Sequence, residues 1–349
     1  MKKILTLLLI LSLALLPLSG CDWSEIITTI GAPETVPPNV AREPKNGSQY
    51  RIGFTYYYAS EFMNLLLGGI EAKADELGMK VVELDAENDP ANQLNQVENL
   101  IAQQVDCLMI AAVDAQGIVP ALSMAREAGI PLVVVNLAFS TDEPYYFYGP
   151  DDVDGGYLEA QYAYEAAREL FPDVKRLNGI IIQGPVGTSA MMERQEGNDL
   201  FLDEIGREEN LNIFDMQPKN WSREEACTYV ENCIQAYGIG GTDGMHLIIS
   251  HNDEMALGAI QAIESQGYVP GKDIIVTGID AIEDACHAVL DGKQYATLYQ
   301  DAGREGGGGV QLCYDILTGN PPETPKQYME LTCFRQDNVS LLLDTIYYH

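Results

Sequence analysis

From Tyr50 onward, short apolar runs alternate with helix-like stretches, and the alternation passes through two series. The first series reads "RIGFTYY" (51–57), "KVVELD" (80–85), "CLMIAA" (107–112) and "PLVVVN" (131–136). The second reads "GIIIQG" (179–184), "NIFDMQ" (212–217), "HLIISHN" (246–252), "DIIVTGID" (273–280) and "YATLYQ" (295–300). After the first run, Phe62, Leu66, Ile70, Ala74 and Leu77 recur with the period of one buried helix face, and Leu94, Val97 and Ile101 do so in the next helix. Short apolar strands separated by helices imply a parallel sheet covered on both faces. Two such series predict two doubly wound parallel-sheet α/β domains.

A length of 349 residues holds two such domains with real cores. Hydrophobic residues make up 46% of the chain, enough to pack them. The 52 acidic and 20 basic residues leave a formal charge of −32, a field that repels phosphate backbones. Nucleic acid is therefore excluded as a partner.

The chain begins "MKKILTLLLILSLALLPLSGC", with two lysines, an apolar run and small residues ahead of Cys21. Residues 1–20 read as a secretory signal peptide, because the apolar run from Ile4 to Leu18 is short for a membrane span. "LSGC" at 18–21 resembles a bacterial lipobox, which implies cleavage before Cys21 and lipid on its thiol. The expected location is extracytoplasmic, held to the membrane through that lipid. Residues 21–49, rich in Pro, Thr, Glu and Asn, read as a flexible tether. Six further cysteines (Cys107, Cys227, Cys233, Cys286, Cys313 and Cys333) show no CxxC spacing and no histidines at zinc-finger intervals. No metal and no cofactor is expected. An even count in an exported chain permits disulfides, but the spacing pairs none.

In open α/β sheets, ligands bind beyond the carboxyl ends of the strands. There the chain places Tyr57, Asn136, Asn252, Asp280 and Gln300, with Trp221 beyond "NIFDMQPKN" and Ser60, Glu61 and Phe62 opening the first helix. Amides and carboxylates each bond two hydroxyls, and flat rings cover the C–H faces of a sugar. Such a set suits an uncharged ligand with many hydroxyls. Within "ISHNDEMALGA", Asn252 is expected to face the ligand while Asp253 caps the following helix and Glu254 favours its positive end. "DDVDGG" at 151–156 lacks the alternating ligands and closing Glu of a calcium loop and reads as a turn and helix start.

The chain from about Tyr50 resembles the periplasmic sugar-binding proteins of the ribose/galactose type, two-domain receptors that feed ABC transporters. "RIGFTYYYASEFM", "ELDAENDPANQLNQVENLIAQQVDCLMI", "GPVGTSAMMERQEG", "HNDEMALGAIQAI" and "VTGIDA" carry the likeness. The resemblance implies that Phe62 and Trp221 stack on opposite sugar faces. It also implies that Asn136, Arg194, Asn252, Asp280 and Gln300 bond hydroxyls, with Ser60 or Glu61 supplying one more contact. The departures are specific. Ribose receptors have an arginine at Leu137, and galactose receptors have His and Asp at Thr188 and Ala190. A calcium loop has no counterpart in "FPDVKRLNGIII".

The resemblance further implies type I architecture with a three-segment hinge near 149–151, 300–301 and 328. Residues 50–149 with 302–328 would form one lobe and 150–301 with 329–349 the other. The implied function is a monomeric lipoprotein receptor delivering a neutral monosaccharide or polyol to an ABC transporter permease. Sensing for chemotaxis or signalling fits the same binding. An enzyme is not expected: GxSxG, HExxH, Walker A and a GxGxxG after the first strand are all missing, and no nucleophile–base pair emerges. "GREGGGGV" at 303–310 begins a helix after the last strand of the series and is not a phosphate loop.

Overall fold

The computed structural model describes residues 43–45 and 49–347. The signal peptide, Cys21 and the tether as far as residue 42 lie outside the described residues.

The first lobe (N-lobe) contains β1 (Arg51–Tyr56), α1 (Glu61–Glu76), β2 (Lys80–Asp85), α2 (Pro90–Ala102), β3 (Cys107–Ile110), α3 (Pro120–Glu127), β4 (Leu132–Val135) and β5 (Tyr146–Pro150). The second (C-lobe) contains α4 (Asp152–Leu170), β6 (Leu177–Gln183), α5 (Ser189–Glu204), the short α6 (Arg207–Asn210), β7 (Leu211–Pro218), α7 (Arg223–Tyr237), β8 (Leu247–Ser250), α8 (Asp253–Ser265), β9 (Ile275–Asp280), α9 (Glu283–Leu290) and β10 (Ala296–Tyr299). The chain then returns through α10 (Ala302–Leu317) and β11 (Lys326–Met329) to the N-lobe, and β12 (Thr332–Arg335) and α11 (Val339–Leu342) end in the C-lobe. A π-turn over Leu343–Tyr347 follows.

The sheets have the same plan. One runs β11-β5-β4-β3-β1-β2 and the other β12-β10-β9-β8-β6-β7. All pairings are parallel except that of β12 with β10. The chain crosses between lobes after β5, after β10 and after β11, which gives the hinge three strands.

The α1 stripe forms as its spacing predicts, with Met63, Leu66, Ile70 and Ala74 buried and Phe62 left half-buried near the helix start. In α2, Gln93 and Leu100 join Val97 at the centre, while Leu94 and Ile101 are half-buried beside them. Gln93 is tolerated there because its amide bonds Ala111 O and Val113 N at the end of β3. Helix pairs α1–α10, α4–α5 and α7–α8 cover the sheets at close range. A Cβ on Gly69 would strike the Gly303 carbonyl, and one on Gly156 the Arg194 carbonyl, so glycine is what permits these crossings.

Three strands carry no apolar run in the sequence. β5 is aromatic and ends in proline, and β11 and β12 are half-exposed edges. The six cysteines in the described residues are free thiols.

Candidate functional site

A cavity of about 220 Å³ lies between the lobes, at the carboxyl ends of both sheets. The N-lobe brings Tyr57, Ser60, Glu61, Phe62 and Asn136 to it. The C-lobe brings Arg194, Trp221, Asn252 and Asp280, and Gln300 comes from the second hinge strand. All ten positions singled out in the sequence therefore meet at one place. Five more residues line the cavity that the strand-end argument did not assign to it. Tyr58 packs edge-on to Tyr57 with ring centroids 5.2 Å apart, while Leu137, Ala190, Glu254 and Ile282 each adjoin or lie near an expected residue.

Local backbone explains how several side chains reach the cleft. Asn136, Trp221 and Asp280 adopt φ of 64°, 55° and 119°. Left-handed backbone at non-glycine residues is costly and concentrates where a ligand is held. Trp221 also needs Gly184 opposite, since a Cβ there would overlap its six-membered ring. The indole packs against the apolar cores of both lobes, with the Arg194 guanidinium 5.7 Å from its ring centroid.

Arg194 is the hub. Its Nε donates to Asp152 Oδ1 at 2.7 Å, its Nη2 to Gln300 Oε1 at 3.0 Å, and its Nη1 to the His251 carbonyl. Gln300 in turn donates through Nε2 to Glu305 Oε2 at 3.0 Å, so the network joins α4, α5 and α10 beneath the cavity. Burial opposes the charge on Arg194, but Asp152 and Asp280 outweigh it and the pKa rises. Burial pushes the Asp280 carboxyl well above its usual range, with Arg194 opposing and Asp253, Asp152 and Glu254 reinforcing. Among the described residues Asp280 accepts no side-chain hydrogen bond that would spend its oxygens, and it faces the cavity. Burial raises Glu305 to about 8, although Gln300 and Asn136 hydrogen-bond to it.

The expected division of labour at 252–253 is corrected. Asn252, not Asp253, caps α8: its Oδ1 accepts from Met255 N at 3.0 Å while its backbone is extended. Asp253 is fully buried and accepts from Ala281 N (2.7 Å), Ile282 N (3.3 Å), Gln294 Nε2 (2.7 Å) and Thr297 Oγ1 (2.7 Å). It clamps the loop that carries Asp280. The extended φ of Asn252 makes it the cap, and Asp253, already inside the helix, points inward.

His251, beside the site, is fully buried, and burial followed by the Arg194 charge lowers it to about 3. Its ring bonds Asn198 Oδ1 at 3.1 Å and accepts from Gly184 N, so it braces the wall and offers no base to a ligand. Ser60 Oγ is likewise engaged, capping α1 at Met63 N (3.1 Å). Glu61 Oε1 accepts from Glu283 N of the opposite lobe at 3.0 Å. Ala115 N to Gly187 O at 2.9 Å and Ala138 N to Ser189 Oγ at 2.8 Å also cross the cleft. Among the described residues no cluster of three or more His, Cys, Asp or Glu could hold a metal, and no helix is long and apolar enough to cross a membrane.

Two matched lobes, a three-strand hinge and a polar cleft lined from both sides define a two-lobed solute-binding protein. Residues 52–321 match the periplasmic binding protein domain, and the chain belongs to that family, whose members bind solutes and are not enzymes. The ribose import binding protein of Bacillus subtilis (strain 168) is 32% identical over 322 residues, 91% of this chain and 94% of that protein. A xylitol-binding protein of Mycolicibacterium smegmatis is 30% identical over 305 residues, 86% of this chain and 81% of the other. The structure of an ABC transporter solute binding protein from Bacillus halodurans C-125 with bound myo-inositol superposes with a TM-score of 0.73 at 27% identity, covering 87% of this chain and 99% of that one.

Proposed function

We propose that the protein is an extracytoplasmic lipoprotein receptor that binds one neutral monosaccharide or related polyol between its lobes and delivers it to an ABC transporter permease. The observation that carries this reading is the meeting of two aromatic faces, Phe62 and Trp221, with Asn136, Arg194, Asn252, Asp280 and Gln300 in one cleft. Rings cover C–H faces and the polar groups bond hydroxyls. The Arg194 charge is already balanced by Asp152, which favours an uncharged ligand over an anion. At about 220 Å³ the cavity lies below the roughly 300–1,000 Å³ usual for drug-sized ligands, a size suited to a single ring. Ribose, xylitol and myo-inositol, named for the relatives, are all uncharged and polyhydroxylated.

Residues 50–149 with 302–328 move against 150–301 with 329–349, and the closed form gains because only there does the ligand touch both halves. The receptor acts as a monomer, tethered by lipid on Cys21. Calorimetric titration with a panel of aldoses and polyols tests the reading. Micromolar or tighter binding, about −8 kcal/mol or better, is expected for at least one of them. Binding of none sinks the ligand class, and turnover of a bound sugar sinks the receptor assignment. Release of a Cys21→Ser protein from membranes checks the lipid.

A further inference from the structure

The polar groups of the cavity are not spread evenly around it. Leu137 and Ala190, one from each lobe, both line it and both belong to the continuous apolar cluster of the N-lobe. Ala190 is thus a C-lobe side chain seated in the core of the other lobe. The Ala138 N to Ser189 Oγ bond, 2.8 Å, ties the immediate neighbours of these two side chains across the cleft and fixes them at one part of the wall. On the N-lobe side the backbone donors there are spent as well. Leu137 N bonds Val135 O at 2.8 Å, Ala138 N bonds Ser189, and Phe139 N bonds the Tyr145 hydroxyl at 3.1 Å. Arg194 stands one turn along α5 from Ala190, but its Nε, Nη1 and Nη2 are engaged by Asp152, the His251 carbonyl and Gln300, and Asn136, next to Leu137, is hydrogen-bonded to Glu305. Asn252, Asp280 and Gln300 stand on other elements, with Asp280 at the far end of β9.

A hydroxyl pressed against Leu137 and Ala190 loses its bond to water and gains no side-chain partner. A C–H or methyl group at the same place loses nothing and buries apolar surface. Resting on the reading of the cleft as a sugar pocket, we infer that the ligand turns a hydrogen or methyl group, not a hydroxyl, towards Leu137 and Ala190. The preferred ligand is a deoxy sugar or deoxy polyol. An apolar pocket disfavours one added hydroxyl by about ten- to a hundredfold, which sets the size of the preference.

The test is calorimetric titration of the protein with matched pairs that differ by one hydroxyl. Suitable pairs are D-galactose with D-fucose, D-glucose with 6-deoxy-D-glucose, L-mannose with L-rhamnose, D-ribose with 2-deoxy-D-ribose, and myo-inositol with a deoxyinositol. In the tightest-binding pair the deoxy member is expected to bind about ten- to a hundredfold more tightly. Ala190→Ser and Leu137→Gln, which add a hydrogen-bonding group at the wall, are expected to shrink or reverse that ratio. The inference is overturned, with the sugar pocket intact, if the hydroxylated member binds as tightly or more tightly in every pair that binds. An unchanged ratio in both folded variants overturns it too. If no member of any pair binds, the sugar reading falls and takes the inference with it.

Discussion

In the N-lobe one unbroken apolar cluster runs from Ile52 on β1 through β3 and β4 to Leu317 at the end of α10. In the C-lobe, built on the same strand order, the apolar residues fall into separate groups around Ile180, Ile181, Cys286 and Leu298. Between those groups lie buried Asp152, Glu159, Asn198, His246, His251 and Asp253. The C-lobe gives up apolar continuity, and one Glu159 oxygen remains without a partner. In exchange, Arg194, Asn252 and Asp280 are held from behind by other buried groups. Ligand groups supported by a second layer keep their geometry between binding events. The N-lobe instead supplies its aromatic and rim residues from helix starts and strand ends over a continuous apolar cluster, with fewer polar groups buried in it: Thr55, Gln93, Asp106, Asn136 and Glu305.

The contrast can be broken by substitution. Arg194→Ala leaves Asp152 buried without its cation, and removing one partner of such a pair costs about 3–5 kcal/mol of folding stability. Sugar binding should weaken more than tenfold in the same variant, as it should in Trp221→Ala and Asp280→Ala, whose thermal stability falls less. Next in size is Leu66→Ala in the N-lobe, a fully buried side chain away from the cavity, with an expected cost of about 2–5 kcal/mol. Its sugar affinity should stay within a few-fold of the parent; a larger loss would mean that the apolar lobe also tunes the site.

A smaller effect comes from pH. Glu305 is raised by burial to about 8 from a usual 4.5, so the folded protein holds a proton there that the unfolded chain has lost. That stability is full below about pH 4.5 and is lost as pH rises towards 8. His251, at about 3 in the fold and 6.5 in the unfolded chain, acts in the opposite direction and blunts the decline at the acid end of the range. Thermal melts between pH 6.5 and 8 should therefore show a decline, up to about 1.4 kcal/mol per pH unit for one such group. Asp280 and Glu159, also raised by burial, add to the same decline, so Glu305→Gln should make it shallower, and equal slopes in both proteins would remove Glu305 as a contributor. Smallest is Ser189→Ala, which deletes one lobe-to-lobe hydrogen bond of about 1 kcal/mol and should weaken sugar binding a few-fold without altering the melt.

Most of the strands were legible because buried parallel strands are apolar on both faces, as in "CLMIAA" and "GIIIQG". β5, β11 and β12 were not: β5, though inside the sheet, is aromatic and ends in Gly-Pro, and β11 and β12 are half-exposed edge strands without that signal. The ten site positions could be gathered from strand ends and from the family likeness, before any distance was known. The support behind them could not. Arg194 and Gln300 are 106 positions apart, and no local pattern announces such a bond. Asn252 and Asp253 show a finer limit: both residue types cap helices, and only the backbone angle at 252 decides between them.

The glycines of α10 bear on how the molecule is assembled. Gly306, Gly308 and Gly309 let the helix lie against α1, Tyr148 and β4, where a Cβ would overlap, but each glycine of α10 costs about 1 kcal/mol relative to alanine in an isolated helix. This segment has little helix of its own to offer and becomes ordered by docking. It also arrives, with β11, only after the whole β6–β10 series has been made. The lobe that begins the chain is therefore closed only near the end of synthesis, just before β12 and α11 complete the other lobe. Until its glycine helix seats, a nascent or newly exported molecule would carry a nearly complete C-lobe beside an N-lobe that still exposes β4 and α1, the surface a chaperone would be expected to meet.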